Sequence, residues 1–215
     1  MTNPSAKVYI VDDDNSVRES LARVLRSKDY QVESFSTPQD FLDLKHYDHP
    51  CCLLLDLLLP GLSGLEVLER LVSDHHPLVT IFITGYGTIP LTVRALKQGA
   101  VNFLEKPVDP NELLAEVGKA IELDKTISHQ KSAISAVEQR IQLLTPREKE
   151  VFDLVVKGYL NKQIAAQLKV CEKTIKVHRA KVMDKMKAHS LAELVHLHAM
   201  IPSQQSLPQS HPFRA

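Results

Sequence analysis

The chain has 215 residues, of which 44% are hydrophobic and 24% charged, an ordinary globular composition that excludes disorder over most of its length. Its formal charge is zero, but the charge is unevenly placed. Residues 1–124 hold 11 Lys and Arg against 19 Asp and Glu (net −8), residues 125–144 hold 3 against 1 (net +2), and residues 145–215 hold 12 against 6 (net +6). An acidic front and a basic back imply two domains with different partners, the second partner being polyanionic. The longest apolar run, Cys51 to Leu59, is broken by Asp56, so no segment is expected to span a bilayer. Residues 1–7 are polar and lead into a strand-like run, with no signal-peptide core. Cys51, Cys52 and Cys171 do not form a disulfide framework and suit a reducing cytoplasm.

In chain order, Val8–Val11 reads as a strand that ends at Asp12-Asp13-Asp14-Asn15. Val17, Leu21, Val24 and Leu25 follow at helical spacing. Gln31–Phe35 reads as a strand and Pro38–Lys45 as a short helix. Cys51–Leu55 is a continuous apolar run, as a strand buried on both faces requires. Pro60-Gly61 turns the chain into a helix marked by Leu65, Leu68, Leu71 and Val72. Val79–Ile83 and Val101–Leu104 read as strands with a helix at Leu91–Lys97 between them, and another helix starts near Pro110. Five βα repeats predict an α/β doubly wound, parallel, five-stranded sheet covered on both faces.

The helix that starts near Pro110 has no proline from Asn111 to Leu144. A heptad places Leu113, Ala120, Ile127, Ile134 and Ile141 on one seam line and Glu116, Leu123, Gln130, Val137 and Leu144 on the other. This fits a dimerising coiled coil about 50 Å long; the alternatives are a helix packed on its own domain, or a loose linker. Beyond it, Thr145-Pro146-Arg147-Glu148 is a capping box with proline at the first helical position. Val151, Leu154 and Val155 form the apolar face of that helix and Gly158 its stop. Asn161 is expected to cap a second helix, Glu172–Lys187 forms a third, and the capping box Ser190–Glu193 opens a fourth, running to about Met200. Pro202–Ala215 is rich in Ser, Gln and Pro and reads as a disordered tail.

Functional side chains of a doubly wound sheet collect at the carboxyl ends of its strands. Those ends carry Asp12 and Asp13, then Asp56, Thr84 and Lys106. Three converging carboxylates repel one another unless a cation sits among them, and an all-oxygen set suits Mg²⁺. Asp56 ends the most buried strand, where a carboxylate can attack phosphorus and form an aspartyl phosphate. Lys106 can balance the oxyanion charge and the Thr84 hydroxyl can bond it. Each of these alone is an ordinary turn or loop residue; the ordered set is what points to chemistry.

With Val11-Asp12-Asp13-Asp14, Leu55-Asp56, Leu59-Pro60-Gly61, Ser63-Gly64, Ile83-Thr84-Gly85 and Glu105-Lys106-Pro107, residues 5–122 resemble the receiver domain of two-component response regulators. The resemblance implies a phosphoacceptor at Asp56, served by a sensor histidine kinase, and Mg²⁺ held by Asp12, Asp13, Asp56 and the Leu58 carbonyl. It also implies a switch pair at Thr84 and Phe103, a cis Lys106-Pro107 peptide, and a dimer face from about Leu91 to Gly118. Leu57, Leu58 and Leu59 depart from the polar or Met residue that often follows the acceptor.

Residues 169–187 carry seven cations against Glu172 and Asp184, with Ile175, Val182 and Met186 as the apolar side of the helix. A lysine-rich helix of this kind is often only a solvated face, but after two short capped helices it fits a helix–turn–helix laid in the DNA major groove. Leu144–Glu148, Asn161–Ala165 and Thr174–Arg179 resemble the LuxR-type DNA-binding domain, and the whole chain is similar to FixJ-like transcription factors. By that resemblance Lys176, Val177 and Ala180 face bases, Lys173, Thr174, Arg179 and Lys181 hold phosphates, and Lys162 touches the backbone. Leu194 and Leu197 are its dimer-contact candidates. Cys171 stands where a capping Ser or Thr is common, a loss of about 1 kcal/mol at that helix start.

The expected organisation is a receiver at 1–122, a helical linker at 123–143, an all-α four-helix DNA-binding domain at 144–201 and a tail at 202–215. The expected protein is a regulator rather than an enzyme. Its implied partners are double-stranded promoter DNA, a sensor histidine kinase, RNA polymerase and, after phosphorylation, a second copy of itself. His178 is expected to be structural, and the other histidines are scattered, so no transition-metal site is expected. An aspartate-nucleophile phosphatase would carry a second Asp where Leu58 stands. A constitutive DNA-binding regulator with a non-switching receiver is the remaining alternative.

Overall fold

A computed structural model describes residues 6–44, 46–73, 77–85 and 95–201. They form two compact units, one through Ser128 and one from His129. The first unit contains β1 (Lys7–Val11), α1 (Asn15–Arg26), β2 (Gln31–Phe35), α2 (Pro38–Leu42), β3 (Cys51–Asp56), α3 (Gly64–Ser73), β4 (Thr80–Thr84) and β5 (Asn102–Glu105). The helix α4 (Pro110–Gln142) starts in the first unit and ends in the second. The second unit continues with α5 (Pro146–Val156), α6 (Asn161–Gln167), α7 (Glu172–Met186) and α8 (Leu191–Ala199).

The strands form one parallel sheet in the order β2-β1-β3-β4-β5. Alternate residues feed two cores. Tyr9, Val11, Leu53, Leu55 and Phe82 face one layer with Leu68 and Leu71 of α3. Val8, Ile10, Leu54, Ile81 and Ile83 face the other with Leu21 and Leu25 of α1 and Leu113 and Val117 of α4. Every residue of β3 is buried, so its unbroken apolar run follows from cover on both faces. Each fully buried Leu, Ile or Val contributes about 1.5–3 kcal/mol. Cys51 and Cys52 are free and lie in opposite layers, as the strand period of two demands. Tyr9, Phe35, Phe41 and Tyr47 pack ring on ring in the first layer, at centroid distances of 5.5 to 5.9 Å.

The apolar stripe of α4 serves two cores in turn. Leu113, Ala120, Leu123 and Ile127 pack into the sheet unit, and Val137, Ile141 and Leu144 pack into the helical unit. These positions are therefore occupied within the chain and do not form the continuous exposed seam that the heptad suggests. Only Gln130 and Ile134 of the seam fall outside both cores.

In the second unit Thr145 and Glu148 make the reciprocal capping box and Gly158 stops α5 at φ +86°. Asn161 is not a cap. It is the first helical residue of α6, and Gln163 Oε1 accepts instead from the Leu160 N–H at 2.8 Å. This leaves Asn161 Oδ1 free to accept from Arg179 of α7 at 3.1 Å. Cys171 is the N-cap of α7 without a side-chain capping bond, while Ser190 caps α8. Lys45 of the second expected helix, Leu91–Arg94 of the fourth, and the tail from Pro202 lie outside the described residues. No helix among the described residues is long and apolar enough to cross a membrane.

Candidate functional site

The parallel register aligns the carboxyl ends of the central strands. Val11 lies beside Leu55, Asp56 beside Ile83, and Thr84 beside Glu105. The next residues along, Asp12 and Lys106, therefore meet Asp56 at one edge. Lys106 Nζ lies 2.6 Å from Asp12 Oδ2 and 2.6 Å from Asp56 Oδ2. Asp12 Oδ1 accepts from the Asp14 N–H at 2.9 Å, and Asp56 Oδ1 from the Leu58 N–H at 3.0 Å. Arg18 of α1 donates to the Asp12 carbonyl at 2.7 Å.

Asp12 is 1% and Asp56 6% exposed, whereas Asp13 is exposed. Carboxylate oxygens of Asp12, Asp13 and Asp56 lie within 4.8 Å of one another. Burial raises the Asp12 carboxyl above its ordinary pKa, although the Lys106 hydrogen bond works against that rise. Burial also acts to lower Lys106, but its hydrogen bonds to Asp12 and Asp56 prevail and raise it. One ammonium group thus faces three carboxylates. The excess negative charge and the all-oxygen donor set fit a hard divalent cation such as Mg²⁺.

Thr84 is fully buried at the end of β4, and Phe103 is half-buried on β5. The Lys106-Pro107 peptide is cis, as the resemblance implies. Gly64 opens α3 directly against the acceptor strand. A Cβ there would sit 2.3 Å from the Asp56 carbonyl oxygen and 2.9 Å from the Phe82 ring, so no side chain fits. Leu58 is 52% exposed beside this edge. Part of the expected Leu91–Gly118 dimer face, Leu91–Arg94, lies outside the described residues.

In the second unit α7 buries Ile175, Val182 and Met186 and exposes Lys173, Lys176, Val177, Ala180 and Lys181. Thr174 and Arg179 are half-buried, and Lys162 on α6 is exposed. Not every cation of the 169–187 run faces outward. Lys185 Nζ lies 2.6 Å from the buried Glu148 Oε2 and also donates to the Leu143 carbonyl at 3.0 Å. The Lys185 hydrogen bond, with that from the Thr145 N–H, holds Glu148 down at about 2. Lys185 is therefore an anchor of the fold. His178 Nδ1 is buried with no hydrogen-bond partner among the described residues.

Leu194 does not face outward as a dimer contact must. It is 0% exposed and belongs to the core of its own unit, with Leu197 packed against that core. On α8 the apolar side chains left at the surface are Leu191 and Val195. The four apolar residues of this short helix exceed what one face needs, and only the core decides which side is inside.

One cluster was not anticipated from the sequence. His49, Cys51 and Asp124 bring their ligand atoms within 4.8 Å of one another at the amino end of β3. Asp124 is 75 residues from His49, so no local spacing could have revealed it.

Two family models match the chain: the response regulator receiver domain over residues 8–118 and the luxR family of bacterial regulatory proteins over residues 142–198. Nodulation protein W of Bradyrhizobium diazoefficiens is 42% identical over 89% of this chain and 85% of its own length. Transcriptional regulatory protein FixJ of the same organism is 38% identical over 88% of this chain and 93% of its own. Among solved structures, response regulator StyR matches with a TM-score of 0.81 at 40% identity, covering 91% of this chain and 98% of that one.

Proposed function

Because this chain belongs to the response regulators that join a receiver domain to a LuxR-type DNA-binding domain, we propose that Asp56 is its phosphoacceptor and that phosphorylation controls DNA binding by α7. Residues 1–122 would be the receiver, 123–143 the linker and 144–201 the DNA-binding domain. The observation that carries the reading is the shared position of Asp12, Asp13 and Asp56 around one lysine at the carboxyl edge of the sheet.

In the proposed transfer a carboxylate oxygen of Asp56 attacks the phosphorus of a phosphohistidine on the sensor kinase. The new P–O bond forms as the P–N bond breaks, and the leaving imidazole takes up a proton. Asp12, Asp13, Asp56 and the Leu58 carbonyl would hold Mg²⁺, which when bound neutralises phosphoryl oxygens. Lys106 exchanges its partner from the Asp56 carboxylate to a phosphoryl oxygen, and the Thr84 hydroxyl bonds another. Phosphorylation adds about −1.5 to −2 charge. The movement of Thr84 and Phe103 would then make the 91–118 face self-complementary.

Dimerisation sets two copies of α7 on half-sites related by a two-fold axis. Lys173, Thr174, Arg179, Lys181 and Lys162 would contact phosphates, and Lys176, Val177 and Ala180 base edges. Val177 is 51% exposed, which suits contact with a thymine methyl. At the promoter RNA polymerase is the further partner. Incubation with Mg²⁺ and a small acyl-phosphate donor tests the reading through intact mass, solution size and DNA affinity. A one-phosphoryl gain absent from Asp56→Asn, with dimer formation and tighter DNA binding, is the expected result. A mass gain without either change keeps the acceptor and removes this output step.

A further inference from the structure

We propose that His49, Cys51 and Asp124 form a second cation site, at the end of the sheet opposite the carboxylate cluster, that takes a borderline ion such as Zn²⁺ through one nitrogen, one sulfur and one oxygen. The donors are already gathered. His49 Nδ1 lies 2.7 Å from Asp124 Oδ2 and 3.6 Å from Cys51 Sγ. Ligands around a tetrahedral ion with bonds of about 2.0 to 2.3 Å stand about 3.3 to 3.7 Å apart. The nitrogen–sulfur distance needs no change, and the nitrogen–oxygen distance needs to open only slightly. The Cys51 N–H donates to Asp124 Oδ2 at 2.9 Å and orients the carboxylate, as outer hydrogen bonds do around bound metals.

The chemistry of the donors separates this cluster from the first one. Asp12, Asp13 and Asp56 offer oxygen alone, the choice of Mg²⁺, whereas a thiolate and an imidazole select zinc-like ions. The charge balance differs as well. The acidic cluster has Lys106, but among the described residues the ion-pair partner given to Asp124 is His49. Asp124 and Cys51 are buried, while the His49 side chain remains 41% exposed, so an ion can enter from the histidine side. Three protein ligands would leave a fourth position for water.

Entry of the ion exchanges protons. With Asp124 ionised, the proton between it and His49 sits on Nδ1, and it must move to Nε2 or to solvent before Nδ1 can ligate. The Cys51 thiol is pushed up to about 12, chiefly by burial and then by the Asp124 charge, so it is neutral until the ion takes the thiolate and the proton leaves. Binding therefore releases one proton from the neutral-histidine form and two from the charged form, and it tightens as pH rises. The site would tie α4 at Asp124 to the start of β3.

The test uses the full-length protein, stripped with a chelator and kept in excess Mg²⁺ so that the carboxylate cluster is filled. Co²⁺ is titrated as a spectroscopic stand-in for Zn²⁺. The expected result is one equivalent bound, with a near-ultraviolet thiolate-to-cobalt charge-transfer band and visible bands of tetrahedral intensity, both removed by Zn²⁺. C51S and H49Q should abolish the charge-transfer band, while C171S should keep it. His49 is exposed, so H49Q keeps the fold, as far-ultraviolet circular dichroism can verify. A folded protein without the thiolate band overturns the site, and so does a band that survives in C51S or H49Q. In that case the cluster is a hydrogen-bonded fastening of α4. Phosphoryl uptake at Asp56, read by mass on the same samples, is unaffected by either outcome.

Discussion

At the carboxyl edge of the sheet three carboxylates share one ammonium group, two of them nearly inaccessible to water. On α7 Lys173, Lys176 and Lys181 stand on an exposed face, with Glu172 3.6 Å from Lys176, an open ion pair worth little. The two units thus place like charge in opposite dielectric settings. In the first, unlike the second, the repulsion cannot be relieved by water, so a cation or a phosphoryl group that enters changes local energies strongly. In the second, water and salt screen the charge, and its effect is spread over a long polyanion. A buried charge excess makes a switch; an exposed one makes a salt-sensitive adhesive.

Breaking the buried side of this contrast has the largest expected effect. Asp56→Asn should abolish phosphoryl uptake completely by intact mass while Mg²⁺-free folding persists. Next, Lys106→Met leaves Asp12 and Asp56 without their cation. A stability loss of about 3 kcal/mol is expected in chelator, and Mg²⁺ should restore part of it. Denaturant titration with and without Mg²⁺ checks this, and equal losses in both conditions would remove the electrostatic explanation.

The exposed side responds to salt. Replacing Lys173, Lys176 and Lys181 with Ala should leave thermal stability nearly unchanged. It should reduce the slope of log affinity against log salt by up to about 3, roughly one for each lost phosphate contact. Lys185→Ala should do the reverse, destabilising the helical unit with little change in slope, because its ammonium is held by Glu148.

The smallest expected effect is a drift with pH. Glu148 has a folded pKa of about 2 against an ordinary 4.5. A depressed carboxylate contributes stability that is fully present above 4.5 and lost as pH falls towards 2. Acid titration of the helical unit should show that loss, and Glu148→Gln should flatten it.

Much of this was legible in the sequence because parallel strands carry their ends to one edge. Asp12, Asp56, Thr84 and Lys106 each follow or end an apolar run, and the register brings those ends together. The heptad along α4 was misleading for a physical reason: one stripe with the right period can serve two successive cores as well as one partner helix. Leu194 was misplaced because α8 is apolar on more than one side. His49, Cys51 and Asp124 escaped notice because the loop and helix that unite them are remote in sequence, and no rule draws functional residues to the amino ends of strands. Lys185 was counted with the outward cations although Glu148, a capping-box residue, claims it.

The ring cluster of Tyr9, Phe35, Phe41 and Tyr47 has an optical consequence. The chain contains no tryptophan. In the helical unit, the described aromatic residues are Phe152, which stacks edge-on against His198, and Tyr159, which lies at the surface. Tyrosine ellipticity in the near ultraviolet arises where rings are held rigidly, so it reports on the sheet unit, while far-ultraviolet ellipticity sums the helices of both units. Paired melts at the two wavelengths therefore separate the fate of the sensor half from that of the DNA-binding half in a single unlabelled sample.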